Sequence, residues 1–232
     1  IAKENGFKNI TVDLIYGLPD QTNKKWQENL NKINELDINH FSAYALTVEP
    51  KTELDYLITQ NKIKPLSETL TAEHFKILQE GAEKMGYVQY EISNFCRDNK
   101  LSKHNSSYWK NKWYLGIGPS AHSYNGKSRQ WNISSNLKYI KNIKSKQSFF
   151  EIETLNSNQM YNDYILTSLR TMWGVSTDYI LKNFGKEVSK HFLNATKKWI
   201  LDKKIKLKDG NYLLTKEGML FADAISSDLF KL

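Results

Sequence analysis

The stretch Ile10-Thr11-Val12-Asp13-Leu14-Ile15-Tyr16-Gly17-Leu18-Pro19-Asp20-Gln21-Thr22 decides how the rest of the chain is read. From Ile10 to Leu18 it is a short, almost unbroken apolar run, the pattern of a strand covered on both faces in a parallel sheet. Pro19-Asp20 turns the chain and Thr22 is placed to cap a helix, in which Trp26, Leu30 and Ile33 recur at helical spacing as far as Leu36. Strand character returns from His40 to Val48. Strand, helix and strand make a βαβ unit whose strands are expected to lie parallel. The expected fold class is α/β, a slice of a sheet or of a (β/α) barrel.

Outward from this unit, Phe75, Leu78 and Ala82 mark a second helix, entered near Leu70 and Thr71 and stopped by Gly86. A third strand is expected from Tyr87 to Ser93. From Asn94 to about Ser135 periodicity gives way to Asn, Ser, Gly and aromatic residues, and so long an irregular stretch is expected to be functional. Beyond Phe149 the pattern is helical, through Tyr161, Ile165, Leu169 and Met172, then Tyr179 to Phe184, then Phe192 to Leu201. Two short strands, Ile205 to Leu207 and Tyr212 to Leu214, flank the turn Lys208-Asp209-Gly210-Asn211, and a last helix is expected from Lys216 to Ile225. Helices followed by a hairpin resemble a winged-helix domain, so a domain boundary is expected between residues 148 and 149.

The 232 residues, 40% of them hydrophobic, suffice to bury a core. The chain has no uncharged apolar run of about 18 residues and no signal-peptide pattern at Ile1-Ala2-Lys3-Glu4-Asn5-Gly6, so a cytoplasmic location is expected. Because it opens on Ile1, the chain is expected to be part of a longer protein. Its single cysteine, Cys96, excludes an internal disulfide or an all-cysteine metal site within these residues. The net charge is +8, with the excess of lysine at Lys138 to Lys146 and Lys182 to Lys208. That suits a solubilising surface, or contact with nucleic acid, an acidic ligand or the anionic periphery of a membrane.

Several residues invite a chemical reading. Asp13 in a strand covered on both faces would need a partner, either a ligand hydroxyl or ammonium or a basic side chain. His104-Asn105-Ser106-Ser107-Tyr108-Trp109 combines an imidazole, a common axial ligand of haem iron, with flat rings that can stack on a porphyrin, while a surface-loop histidine beside two packed aromatics remains the plainer alternative. Gly116-Ile117-Gly118-Pro119-Ser120-Ala121-His122-Ser123-Tyr124 reads as a tight turn, with His122 as a second candidate haem ligand. Glu91 and Arg97 are expected to pair, and Cys96 to be a buried free thiol.

The string Asp13 to Thr22 resembles the fifth barrel strand and following turn of the radical-SAM oxygen-independent coproporphyrinogen III oxidase family, and His104 to Trp109 resembles a motif of its haem-chaperone branch. The resemblance implies the second part of a partial radical-SAM (β/α) barrel in residues 1–148 and a winged-helix-like α+β domain in 149–232. Asp13 and Ile15, with Tyr44 and Thr47 from the next strand, would line an S-adenosyl-L-methionine site. On residue type alone Tyr44 reads equally as a core aromatic. His104, Asn105, Tyr108 and Trp109 would hold haem, with His104 on the iron, and Gly116 to Tyr124 would close the barrel bottom. The family also binds a 4Fe-4S cluster through a Cys-x-x-x-Cys-x-x-Cys motif that this chain lacks, so that motif is expected upstream of Ile1. The implied function is a haem-binding chaperone that delivers haem to haemoproteins. The alternative is an oxygen-independent coproporphyrinogen III oxidase, a radical oxidoreductase of porphyrin biosynthesis, with these residues alone inactive for want of the cluster. Nucleic acid is the least expected partner; peripheral membrane contact and dimerisation through an open sheet edge are further expectations.

Overall fold

β1 (Thr11–Tyr16), α1 (Asn23–Leu36) and β2 (His40–Ala45) form the expected βαβ unit in the computed structural model, which describes residues 1–65 and 67–232. β1 and β2 are parallel, with Thr11 opposite His40, Asp13 opposite Ser42 and Ile15 opposite Tyr44. The Thr22 hydroxyl accepts a hydrogen bond from the Lys25 amide, satisfying one of the free donors at the start of α1, and Asp37 ends the helix in the left-handed region (φ 49). Two compact units emerge, Ile1–Ser102 and Lys103–Leu232.

In the first unit a short helix, α2 (Glu53–Thr59), precedes α3 (Glu68–Lys84), which Ser67 caps and after which Gly86 turns the chain at φ 78. β3 (Val88–Glu91) and β4 (Asn94–Cys96) complete a sheet in the order β1-β2-β4-β3, with β4 antiparallel to both neighbours. The single third strand expected up to Ser93 is thus a hairpin, folded back where the Glu91 carboxylate accepts from the Ser93 amide (2.9 Å) and from the Asn94 side chain. α1 and α3 cover one face of the sheet. Trp26, Leu30 and Ile33 from α1 and Phe75, Leu78 and Ala82 from α3 are buried with Tyr16, Phe41 and Phe95. Phe41 stacks on Phe95 at 4.8 Å between centroids. A Cβ on Gly81 would come within 3.0 Å of Leu30, so its lack of a side chain sets the spacing of the two helices.

The second unit holds α4 (Lys103–Trp109), β5 (His122–Tyr124), β6 (Ser128–Asn132), α5 (Asn136–Lys144), β7 (Phe150–Thr154), α6 (Ser157–Leu169), β8 (Val175–Ser176), α7 (Thr177–Leu201), β9 (Ile205–Lys208), β10 (Asn211–Leu214), a 3-10 turn (Gly218–Phe221) and α8 (Ala222–Leu229). The stretch expected to be irregular therefore carries a helix and two strands, β5 and β6, of an antiparallel sheet that β7 completes in the order β5-β6-β7. The boundary expected at 148/149 falls inside this unit, between β6 and β7, which pair from Ser128–Thr154 to Asn132–Phe150. Beyond it lies the winged-helix-like order: α6, β8, then α7 broken in two at Gly185 (φ 85), then the β9-β10 hairpin in a sheet ordered β8-β10-β9. Asp209 and Gly210 both take positive φ, as a two-residue hairpin turn of the mirror-image type requires. Tyr161, Ile165, Leu169, Ile180, Phe192, Ile225 and Leu229 form the core of this part, with the Tyr161 hydroxyl donating to the Leu229 carbonyl at 2.9 Å.

Candidate functional site

Strand alternation gives the first unit a second, polar sheet face. Thr11, Asp13 and Ile15 of β1 share it with His40, Ser42 and Tyr44 of β2 and with Asn94 and Cys96 of β4. At its closed end His40, 2% exposed, has Thr11 Oγ1 2.7 Å from Nδ1 and the Tyr90 hydroxyl 2.7 Å from Nε2. The Tyr90 hydroxyl in turn accepts from the Ser102 amide at 3.4 Å. Beside this relay, Ser42 Oγ donates to Asn94 Oδ1 at 3.2 Å, and the Asn94 amide group donates to the buried Glu91 carboxylate. Burial lowers the His40 pKa, with the Asp13 charge opposing it, and raises the Tyr90 pKa. The face is a prearranged, hydrogen-bonded polar surface spanning four strands.

Toward the strand ends the same face opens. Asp13 is exposed, Ile15 and Tyr44 are 49% and 41% exposed, and Thr47 is exposed just past the end of β2. The expectation that β1 is covered on both faces fails here, because α1 and α3 both lie on the Tyr16–Phe41 side. Asp13 therefore needs no buried counter-charge, and Tyr44 is not a core aromatic. Register brings Asp13, Ile15 and Tyr44 onto one open surface; Thr47 lies beyond the pairing. The expected Glu91–Arg97 pair is also replaced. Arg97 pairs with Asp37 and lies over the Tyr87 ring, held there by the left-handed turn that ends α1.

In the second unit His104, Asn105, Tyr108 and Trp109 sit on a helix rather than in a loop. His104 and Tyr108 are one helical turn apart on its exposed side, ring edge to ring face at 5.1 Å. The ladder continues from Tyr108 to Tyr114 at 4.9 Å and from Tyr114 to Tyr124 at 6.0 Å. Trp109 faces another way. It is half-buried under the Arg170 guanidinium, 5.6 Å from its ring, and its Nε1 is buried without a hydrogen-bond partner among the described residues. Gly116 marks a close crossing of the following loop over β5, the tight turn expected of the Gly-x-Gly string, and His122 on β5 is exposed.

The donor set does not suit an iron-sulfur cluster. Cys96 is 3% exposed on β4 and its thiol pKa is raised by burial. Among the described residues no group of three or more His, Cys, Asp or Glu side chains is placed to hold a metal ion. His40, Ser42, Tyr90 and Asn94 escaped the sequence reading. The alternation His40-x-Ser42-x-Tyr44 against Phe41-x-Ala43 was the signal that could have found the first two.

Two buried histidines make the fold acid-sensitive. His74 in α3 is fully buried with neither ring nitrogen hydrogen-bonded among the described residues, and its pKa, like that of His40, is lowered first by burial. Above the ordinary imidazole value of 6.5 both rings are neutral whether folded or unfolded. Below it the unfolded chain binds protons that the folded chain refuses, so stability falls by up to about 1.4 kcal/mol per pH unit for each ring. Urea midpoints should hold down to about pH 6.5 and drop steadily from there to about pH 5.5, and His74→Leu should remove about half the slope. A midpoint that stays flat over that range would contradict the neutral, buried assignment.

No protein-family model matches the chain. Among curated proteins it is 32% identical to the heme chaperone HemW of Bacillus subtilis, over 97% of this chain and 59% of that protein. It is 32% identical to HemW of Lactococcus lactis, over 78% and 48%. It is also 27% identical to a mitochondrial radical S-adenosyl methionine domain-containing protein 1 of Danio rerio, over 93% and 51%. The chain spans about half the length of these relatives, or slightly more. Among solved structures, the Escherichia coli coproporphyrinogen III oxidase HemN, described as a radical SAM enzyme, superposes with a TM-score of 0.79 at 19% identity, over 99% of this chain and 56% of that one. The two share a fold.

Proposed function

We propose, because the chain belongs to the radical-SAM, coproporphyrinogen oxidase-like family and is related to its haem chaperones, that it binds haem through α4 and takes part in passing haem to haemoproteins in the cytoplasm. The observation that carries this reading is the open side of α4. His104 is exposed, and among the described residues no hydrogen bond or ion pair occupies its ring. An imidazole presented in this way is a ready axial ligand for haem iron. Tyr108, in edge contact with it, offers a flat surface to the porphyrin, and Trp109 packs with the Arg170 guanidinium on another side of the helix.

S-adenosyl-L-methionine fits the open end of the polar sheet face. The Asp13 carboxylate is available for an ammonium or ribose hydroxyl, with Ile15, Tyr44 and Thr47 beside it. Bound there, the molecule would supply the methionine and adenosyl groups that give the family its name. The cluster does not fit these residues, and no step is assigned to it. The coproporphyrinogen oxidase reading rests on shared fold alone and draws no support from α4.

The test is a titration of the chain with haemin followed at the Soret band. Wild type and His122→Ala are expected to bind alike, and His104→Ala to lose at least a factor of ten in affinity. Equal binding by His104→Ala, or no Soret change with wild type, removes this reading.

A further inference from the structure

We propose that α5 is a docking element for an anionic membrane surface. The proposal is independent of haem binding. Between Ile133 and Phe150 the chain carries Lys138, Lys141, Lys144 and Lys146 and no acidic residue at all. Among the described residues none of these four ammonium groups forms an ion pair. On the same helix Leu137 is 82% exposed, Ile140 49% and Ile143 46%. The other side of α5 is fixed to the unit. Tyr139 accepts a hydrogen bond from the Gly118 amide at 3.2 Å and packs edge-on against Phe149 at 5.4 Å. Ser135 caps the start of the helix, and the Asn142 side chain donates to the Ser148 carbonyl at 2.6 Å. The exposed aliphatic stripe therefore belongs to a rigid element, held outward.

The chemistry of the stripe selects its occupant. Aliphatic residues flanked by lysines, without aromatic anchors or arginine, are poor material for a protein interface, whose buried centres favour Trp, Tyr and Arg and are depleted in Lys. Nucleic acid would use the ammonium groups and leave the leucine and isoleucines in water. A bilayer surface uses both: the aliphatic tips enter the headgroup boundary while the lysine stems lie along it and their charges meet anionic lipid. Leu137, Ile140, Lys141 and Lys144 line one shallow depression, so the two kinds of group are already adjacent.

The full chain should sediment with vesicles containing phosphatidylglycerol and not with vesicles of phosphatidylcholine alone, and the binding should weaken in high salt. Lys138→Gln/Lys141→Gln/Lys144→Gln should lower the partition by roughly fivefold per lysine removed. Leu137→Ser/Ile140→Ser should lower it further while leaving the thermal melt unchanged, since both side chains are exposed. Equal binding to neutral vesicles overturns the proposal, as does unchanged binding by the lysine variant. So does a self-associating wild type that Leu137→Ser/Ile140→Ser renders monomeric and that ignores vesicles, which would assign the stripe to a second copy of the chain.

Discussion

Replacing Trp26 by alanine is expected to cost about 3–5 kcal/mol for the lost packing, and more for the backbone acceptor it leaves unpaired. Trp26 is fully buried, its ring lies 5.5 Å from that of Tyr16, and its indole N–H donates to the His74 carbonyl at 2.9 Å. It thus joins β1, α1 and α3 through a single side chain. A domain of this size has roughly 5–15 kcal/mol of stability in total, so the variant should show a much lower urea midpoint and little near-ultraviolet circular dichroism at 37 °C. Trp26→Phe keeps most of the volume and loses the hydrogen bond, and should fall between the two. A midpoint for Trp26→Ala within experimental error of wild type would show that the packing between sheet and helices is not what holds the unit.

The second large effect is expected at Gly116. A Cβ there would stand 2.2 Å from the His122 carbonyl oxygen and 2.7 Å from its amide nitrogen, both backbone atoms with nowhere to go. The close crossing is secured by the Gly116 amide donating to Ser123 Oγ at 3.0 Å, by the Asn132 side chain donating to the Gly116 carbonyl, and by the backbone pairing of Tyr114 with Tyr124. Gly116→Ala must lift the loop off β5 and break part of this set, a loss of about 3 kcal/mol from overpacking and unmade hydrogen bonds. Hydrogen exchange should show the loss first at the amides of residues 114–124. Protection there equal to wild type would mean that the loop can give way without cost.

The elements that the chain spells out are those with a single repeating signal. Trp26, Leu30 and Ile33 lie at helical spacing in the sequence and side by side in the core. The expected parallel pairing and the winged-helix-like order also hold. What was not legible comes from interactions between parts of the pattern. β1 looked doubly covered because Ile15 is apolar, yet Ile15 faces outward with Thr11 and Asp13. The β3-β4 hairpin depends on one carboxylate, Glu91, folding its own turn, which no periodicity announces. α2 and α4 are both seven residues long and bury too little to show a stripe. β7, Phe150-Glu151-Ile152-Glu153-Thr154, does alternate, but it abuts a helical run and was absorbed into it. At the candidate sites, residue types and positions could be named from the sequence, whereas the relay from Thr11 through His40 to Tyr90 required three strands to be placed.

The break in α7 has a consequence for how the second unit is proportioned. Its 25 residues, unbroken, would form a rod about 37 Å long, about the full width of a compact body the size of the unit Lys103–Leu232. Such a rod would have to protrude from the unit or leave its apolar positions uncovered at one end. At φ 85 and ψ 177 Gly185 takes a backbone shape essentially closed to other residues. One position without a side chain thus turns a strut into two shorter beams, each short enough to lie along the unit's apolar core.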